Sequence, residues 1–277
     1  MNYYSSEKTT DKITAIRSKS GEIMYLVEGE EKAVLIDTCV GYGDLKSYVE
    51  SIRKNNTPLT VLLSHGHIDH AMGAPLFENC YMNCKDIQLY KSQCDIEGRK
   101  GYVAMNTGMS IESLNDEDFV PDQPNYKFNN ITDGMKFDLG GVTVVAYNAN
   151  GHTEGCMAFL IPEEIVLITG DACNNATFLF FDFCCSVSEY KNNIIELKNR
   201  TDGKYNRVLL MHHITDAPTD LFDQMIELCD EIIAGNDDKI PFDFMGKAAR
   251  LAKSANERME REDGKFPNLV YDPNKIV

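Results

Sequence analysis

Residues 64–71 read SHGHIDHA, and this stretch holds three of the chain's six histidines, His65, His67 and His70, around Asp69. Imidazole nitrogen and carboxylate oxygen are ligands that suit zinc, and also iron or manganese. The other histidines fall in two places, His152 in Gly151-His152-Thr153 and the pair His212-His213 after RVLLM. Asp171 follows Gly170 at the end of the apolar run IVLIT. Taken singly, each has an ordinary reading. His152 alone is a turn or core histidine, Asp171 a turn or cap carboxylate, and the SHGHIDHA loop a polar surface turn. Taken together they describe a metal cage. His65 and His67, two apart on an extended loop, point the same way and can hold one metal, while Asp69 and His70 are offset from them toward a neighbouring one. Asp171 can bridge the two. With metals about 3.5–4 Å apart, a trapped hydroxide becomes a nucleophile near neutral pH.

The elements around these residues explain how they would converge. EIMYLVEG and KAVLIDT read as two apolar strands joined by a turn at Gly29-Glu30-Glu31, and TPLTVLLS as a third that runs directly into the histidine loop. Between them, residues 44–54 have helical spacing through Leu45, Tyr48, Val49 and Ile52. Residues 84–130 are weakly patterned and read as a partly helical, variable insertion that walls a substrate cleft. Strands return in ITDGMKFDLGGVTVVAYNA, AFLIP, IVLITGD and RVLLMHH. Ser186-Val-Ser-Glu189 is a capping-box pattern for a helix near 187–200. Thr219 or Asp220 opens another helix, which ends at Gly235. A polar helix near 245–262 and a terminal strand in FPNLVYDP complete the reading. Every cluster of histidines, and Asp171, lies just after a strand. Strand ends on one sheet edge are close in space however distant in sequence, so the layout gathers these side chains on one rim.

The bulk numbers narrow the function. The 277 residues are 43% hydrophobic, ample for a core, and carry a formal net charge of −16, which repels phosphate backbones and argues against nucleic acid. The start, MNYYSSEKTTDK, lacks an apolar signal region, and no run approaches the roughly 18 apolar residues of a membrane span. Nine cysteines without a CxxC motif read as reduced thiols, so a cytoplasmic protein acting on a small molecule, with no membrane partner, is expected. No linker or repeat interrupts residues 1–277, which suggests a single domain, with core motifs over about 20–215 and C-terminal helices and a terminal strand over 216–277.

SHGHIDH, GHTEG, ITGDA and LLMHH, in that order, resemble the signature motifs of the metallo-β-lactamase-fold hydrolase superfamily, and LIDTCVG resembles the strand end that precedes its histidine motif. The resemblance implies an α/β fold, an αβ/βα four-layer sandwich of two mixed β-sheets packed face to face with helices outside. It also implies a ligand set: His65, His67 and His152 on one metal, Asp69, His70 and one histidine of the 212–213 pair on the other, with Asp171 bridging. His213 is the expected last ligand, because the family usually places a short step between strand and ligand, here occupied by Met211-His212. Asp69 would orient the hydroxide and shuttle its proton. The glyoxalase II and lactonase-like ligand pattern, with its bridging carboxylate, fits better than that of the true β-lactamases. The implied activity is hydrolysis of a small ester, thioester or lactone by a dinuclear, zinc-dependent enzyme through a metal-bridging hydroxide. Iron or manganese are the alternative metals. The alternative reaction is that of a mononuclear iron sulfur oxygenase resembling the persulfide dioxygenases, its iron on His65, His152 and Asp171. β-Lactam and phosphodiester cleavage rank lower.

Overall fold

The computed structural model describes residues 3–244 and 246–277. Its first sheet is built in chain order from β1 (Tyr4–Lys8), β2 (Ile13–Ser18), β3 (Ile23–Glu28), β4 (Ala33–Ile36), β5 (Leu59–Leu62), β6 (Cys80–Met82) and β7 (Asn129–Asn130). The strands β1 to β4 are antiparallel and the rest join in parallel, so the sheet is mixed. A second mixed sheet takes β8 (Lys136–Asp138), β9 (Thr143–Asn148), β10 (Met157–Ile161), β11 (Val166–Ile168), β13 (Arg207–Leu209) and β14 (Asp216–Ala217), with β11 and β13 parallel.

Side-chain alternation shows why the two sheets stack. On β3, Ile23, Tyr25 and Val27 pack with Val144, Ala146, Phe159 and Ile168 of the second sheet in one buried cluster. Met24 and Leu26 of the same strand point the other way, into a cluster with Leu45, Val49, Tyr90 and Val103. The outer face of the second sheet, through Val145, Leu160, Leu167 and Val208, packs on Ile194, Leu197, Met225 and Leu228. Because β3 is covered on both sides, all six of its residues are buried, and the five from Ile23 to Val27 read as an unbroken apolar run.

The helices are α1 (Leu45–Ile52), α2 (Ile68–Ala71), α3 (Ile87–Gln93), α4 (Ile96–Thr107), α5 (Val187–Thr201) and α6 (Leu221–Ile233). Asp44 caps α1 by accepting from the Ser47 amide, and the Ser186/Glu189 capping box opens α5. No helix among the described residues is long and apolar enough to cross a membrane.

The two mixed sheets packed face to face with helices outside form the expected α/β sandwich. A third, smaller sheet adds to them, joining β12 (Ala176–Leu179), β17 (Asn268–Tyr271), β16 (Lys247–Leu251) and β15 (Ile240–Phe244) in that order. One expectation is corrected. The polar helix expected near 245–262 is instead a hairpin strand followed by turns, Met245 lying outside the described residues. Lys247-Ala-Ala-Arg-Leu favours a helix in isolation, but Ala249 and Leu251 bury alternately against Phe180 and Val270, and packing overrides local propensity. The polar start was likewise not read as structure, yet residues 4–18 form the β1–β2 hairpin.

Candidate metal centre

The site sits where strands end. Asp37 follows β4, Ser64 and His65 follow β5, Asp86 follows β6, His152 follows β9, Asp171 follows β11 and His212 follows β13. After His65 the chain runs extended to His67, which starts the single turn of α2 and so carries Asp69 and His70 inward.

The geometry fixes the proton on three rings. Ser64 Oγ donates to Asp37 Oδ2 at 2.6 Å and therefore accepts from His65 Nδ1 at 3.0 Å. His152 Nδ1 donates to the Phe178 carbonyl at 2.6 Å, and His70 Nδ1 to Asp37 Oδ2 at 2.6 Å. All three rings turn their Nε2 into the site. Burial alone would lower His70, but Asp69, Asp171 and Asp37 outweigh it and raise it well above the usual histidine range, so a metal at its Nε2 would take the place of a proton. The Nε2 atoms of His65 and His152 both lie 2.9 Å from His67 Nδ1, and one nitrogen cannot donate to both. Burial, followed by the neighbouring imidazoles, pushes His65 well below the usual histidine range and His67 down to about 3, so both stay neutral. Three buried imidazoles converging on one point suit a cation.

A second group holds Asp69, His70 and His212. His70 Nε2 faces His212 Nε2 at 3.0 Å, and Asp69 Oδ2 lies 3.6 Å from His212 Nε2 and 3.8 Å from His70 Nε2. Asp171 stands between the groups, with Oδ2 at 3.2 Å from His212 Nε2, 3.6 Å from His70 Nε2 and 3.8 Å from His152 Nε2. Its Oδ1 is buried without a hydrogen-bond partner among the described residues. Burial alone would raise the Asp171 pKa, but the His212 and His70 rings outweigh it and hold the carboxylate well below its usual range. An ionised, buried carboxylate with an orphaned oxygen, surrounded by imidazole nitrogens, fits a metal bridge.

Six of the seven sequence-derived ligands, His65, His67, Asp69, His70, His152 and Asp171, are thus brought together. The expectation for His213 is corrected: the cluster takes His212. Residue Glu22 pairs with His212 across an isolated β-bridge, which directs the His212 side chain inward. The next residue turns over into a left-handed conformation, φ +52°, and His213 is exposed, its amide donating to the Gly21 carbonyl at 2.8 Å. The extra residue that the family spacing would require is absorbed by this turn.

Asp86 is the residue that sequence reasoning missed. It is 2% exposed and accepts from the Gly66 amide (3.0 Å), Thr153 Oγ1 (2.7 Å) and the Gly155 amide (2.8 Å). One carboxylate therefore ties the loop of His65 and His67 to the loop of His152. Burial pushes its pKa up, and the three donors pull the other way. It falls in the weakly patterned 84–130 stretch, where the available signal was a short apolar strand, CYM, followed by the turn-forming Asn83. The closeness also explains two glycines. A Cβ at Gly66 would lie 2.7 Å from the Asp86 carbonyl oxygen, and one at Gly155 would lie 2.6 Å from its carboxyl carbon. Gly155→Ala is expected to lower unfolding free energy by about 1–3 kcal/mol, as overpacking does, measured by urea denaturation; unchanged stability would mean that the loop yields freely.

The phenylalanines of residues 178–183 divide between the third sheet's core and the side of the metal centre. Phe180 is fully buried in the third sheet's core, while the Phe183 and Phe181 rings lie 5.3 and 6.4 Å from His67. Cys173 is a buried thiol in the core, pushed up to about 12 by burial, and is not a ligand candidate. Thr153 serves Asp86, whereas Ser64 braces His65 directly.

Comparison with known proteins identifies the family. The chain is 31% identical over 153 residues to the lactamase-like protein ptaB of Pestalotiopsis fici, covering 54% of this chain and 39% of that one. It is 27% identical over 153 residues, with the same coverage, to the atrochrysone carboxyl ACP thioesterase AgnL7 of Paecilomyces divaricatus. The chain thus spans well under half the length of these relatives. The structure of a metallo-beta-lactamase from Pontibacter korlensis superposes with a TM-score of 0.57 at 17% identity, covering 81% of this chain and 97% of that one, a likeness of fold. The sequence pattern of the metallo-beta-lactamase superfamily matches residues 23–213, which hold both ligand groups and most of the two large sheets, and the chain belongs to that superfamily.

Proposed function

We propose that the chain is a dinuclear, zinc-dependent hydrolase of a small ester, thioester or lactone. The observation that carries this reading is the pairing of two ligand groups, His65/His67/His152 and Asp69/His70/His212, with Asp171 Oδ2 between them. These two groups would hold two metal ions, which when bound would supply Lewis acidity and an acidified water. The protein's own residues do the rest. Asp37, Ser64 and the Phe178 carbonyl fix the tautomers of His70, His65 and His152, so that the ligand nitrogens need no rearrangement. Asp69 is positioned to accept and pass on the proton of the attacking water. Phe181 and Phe183 form an apolar wall beside His67 that excludes water from the acyl group. The thioesterase relative supports a thioester among the candidate substrates. All nine cysteines are free thiols, which supports a reducing, cytoplasmic compartment.

The test is metal analysis of protein purified without added metal or chelator, followed by hydrolysis assays on ester, thioester and lactone panels. About two zinc ions per chain with turnover on one panel is expected. About one iron per chain, with oxygen uptake on a persulfide, would replace this reading by the oxygenase one. Little metal even after reloading would overturn both.

A further inference from the structure

The two ligand groups are braced unequally. In the first, His65 is held by Ser64, from the loop after β5, and His152 by the Phe178 carbonyl, from β12 of the third sheet. In the second, His70 is held by Asp37, but Asp69 has a different support. Tyr102 Oη donates to Asp69 Oδ2 at 3.1 Å, the same oxygen that faces His70 and His212. Tyr102 does not come from the motif-bearing strands. It lies on α4, in the middle of the 84–130 stretch.

The helix is anchored so that this hydroxyl stays in place. Arg99, one turn before Tyr102 and only 1% exposed, donates to Asp122 Oδ1 at 2.7 Å, and Val103 is wholly buried. Residues three apart share a helix face, so the anchor and the phenol point to the same side. The ring itself packs against the apolar cluster beneath the first sheet. The Glu22 carboxylate, 1% exposed and with Oε1 unpartnered among the described residues, also approaches the phenol. Glu22 belongs to the segment that bridges His212. Tyr102 thus stands between the two elements that present Asp69 and His212.

We propose that Tyr102 is a positioning residue for the second metal, holding the Asp69 carboxylate in its ligating orientation and so making occupancy of that position depend on α4. The inference rests on the two-metal reading above. Removing the donor frees Asp69 to rotate about its terminal bond, and ligand pre-orientation at this position alone is lost. Outer partners of metal ligands commonly contribute about 10–100-fold in affinity.

The experiment is zinc titration of chelator-stripped full-length protein against a competing chromogenic chelator, comparing the wild type with Tyr102→Phe. Cobalt absorption serves as a second readout. Tyr102→Phe is expected to bind the first equivalent as the wild type does and the second about 10–100-fold more weakly, with a matching change in the second cobalt spectrum only. Thermal melting of the metal-free proteins checks that both are folded, and Asp69→Asn should mimic the loss at the second position. A wild type with two equivalents and a variant within about twofold of it at both would overturn the role of Tyr102 and leave the two-metal reading standing. Equal weakening of both equivalents would likewise overturn it, as the mark of general loosening. A wild type that takes one equivalent at most would overturn the two-metal reading and this inference together.

Discussion

Asp69→Asn lowers kcat by about 10²–10⁴-fold, the range typical for loss of a positioned acid–base group, while the melting temperature of the metal-free protein hardly moves. Burial alone would raise the pKa of this carboxyl, but His70 and His212 outweigh it, so Asp69 is ionised and able to accept a proton at neutral pH. Its side chain retains 16% exposure and contributes nothing to the apolar clusters, so the fold does not need it. Asparagine keeps the size and an oxygen but cannot take the proton. Turnover measured as thiol release from a thioester, with metal content determined on the same sample, checks the expectation. A kcat within about threefold of wild type at full metal loading would remove Asp69 from the chemistry.

The second large effect separates two adjacent histidines. His212→Ala removes a side chain 3.0 Å from His70 Nε2 and 3.2 Å from Asp171 Oδ2, taking one of three ligand candidates from the second group. Loss of one metal's charge stabilisation, several kcal/mol, corresponds to a rate loss on the order of 10³-fold. His213→Ala removes an exposed ring whose backbone, not its imidazole, makes the hydrogen bond to Gly21. Its activity should stay within about twofold of wild type, because its imidazole belongs to neither ligand group. The reverse result, with His213→Ala inactive and His212→Ala active, would restore the family spacing and reject the arrangement described above.

Much of the fold was legible because buried strands announce themselves. The runs now seen as β3, β4, β5, β9, β10, β11, β13 and β17 were each apolar and bounded by turn residues, and His65, Asp171, His212 and His152 sit three or four residues beyond β5, β11, β13 and β9. The third sheet was not legible. Its β16 strand is made of good helix formers, and only the aromatic floor supplied by distant Phe178, Phe180 and Phe242 makes it extended. The choice between His212 and His213 was also beyond spacing, since it depends on a single left-handed residue after the bridge to Glu22. Asp86 and Tyr102 escaped for a related reason. Lone polar residues in a stretch without periodicity gain meaning only from partners far along the chain.

The Asp86 clasp bears on how such chains can be recombined. Residues 84–130 are the stretch a recombination experiment would exchange between relatives, since they are mainly helices and turns and reach the first sheet only at its edge strand β7. A graft taken from the first residue of that stretch would remove the carboxylate that holds Gly66, Thr153 and Gly155 together. The recipient would inherit the donor's cleft and lose its own hinge pin. A cut placed after Asp86 keeps the clasp with the two large sheets, and a graft that replaces α3 and α4 has to bring its own phenol to the place of Tyr102.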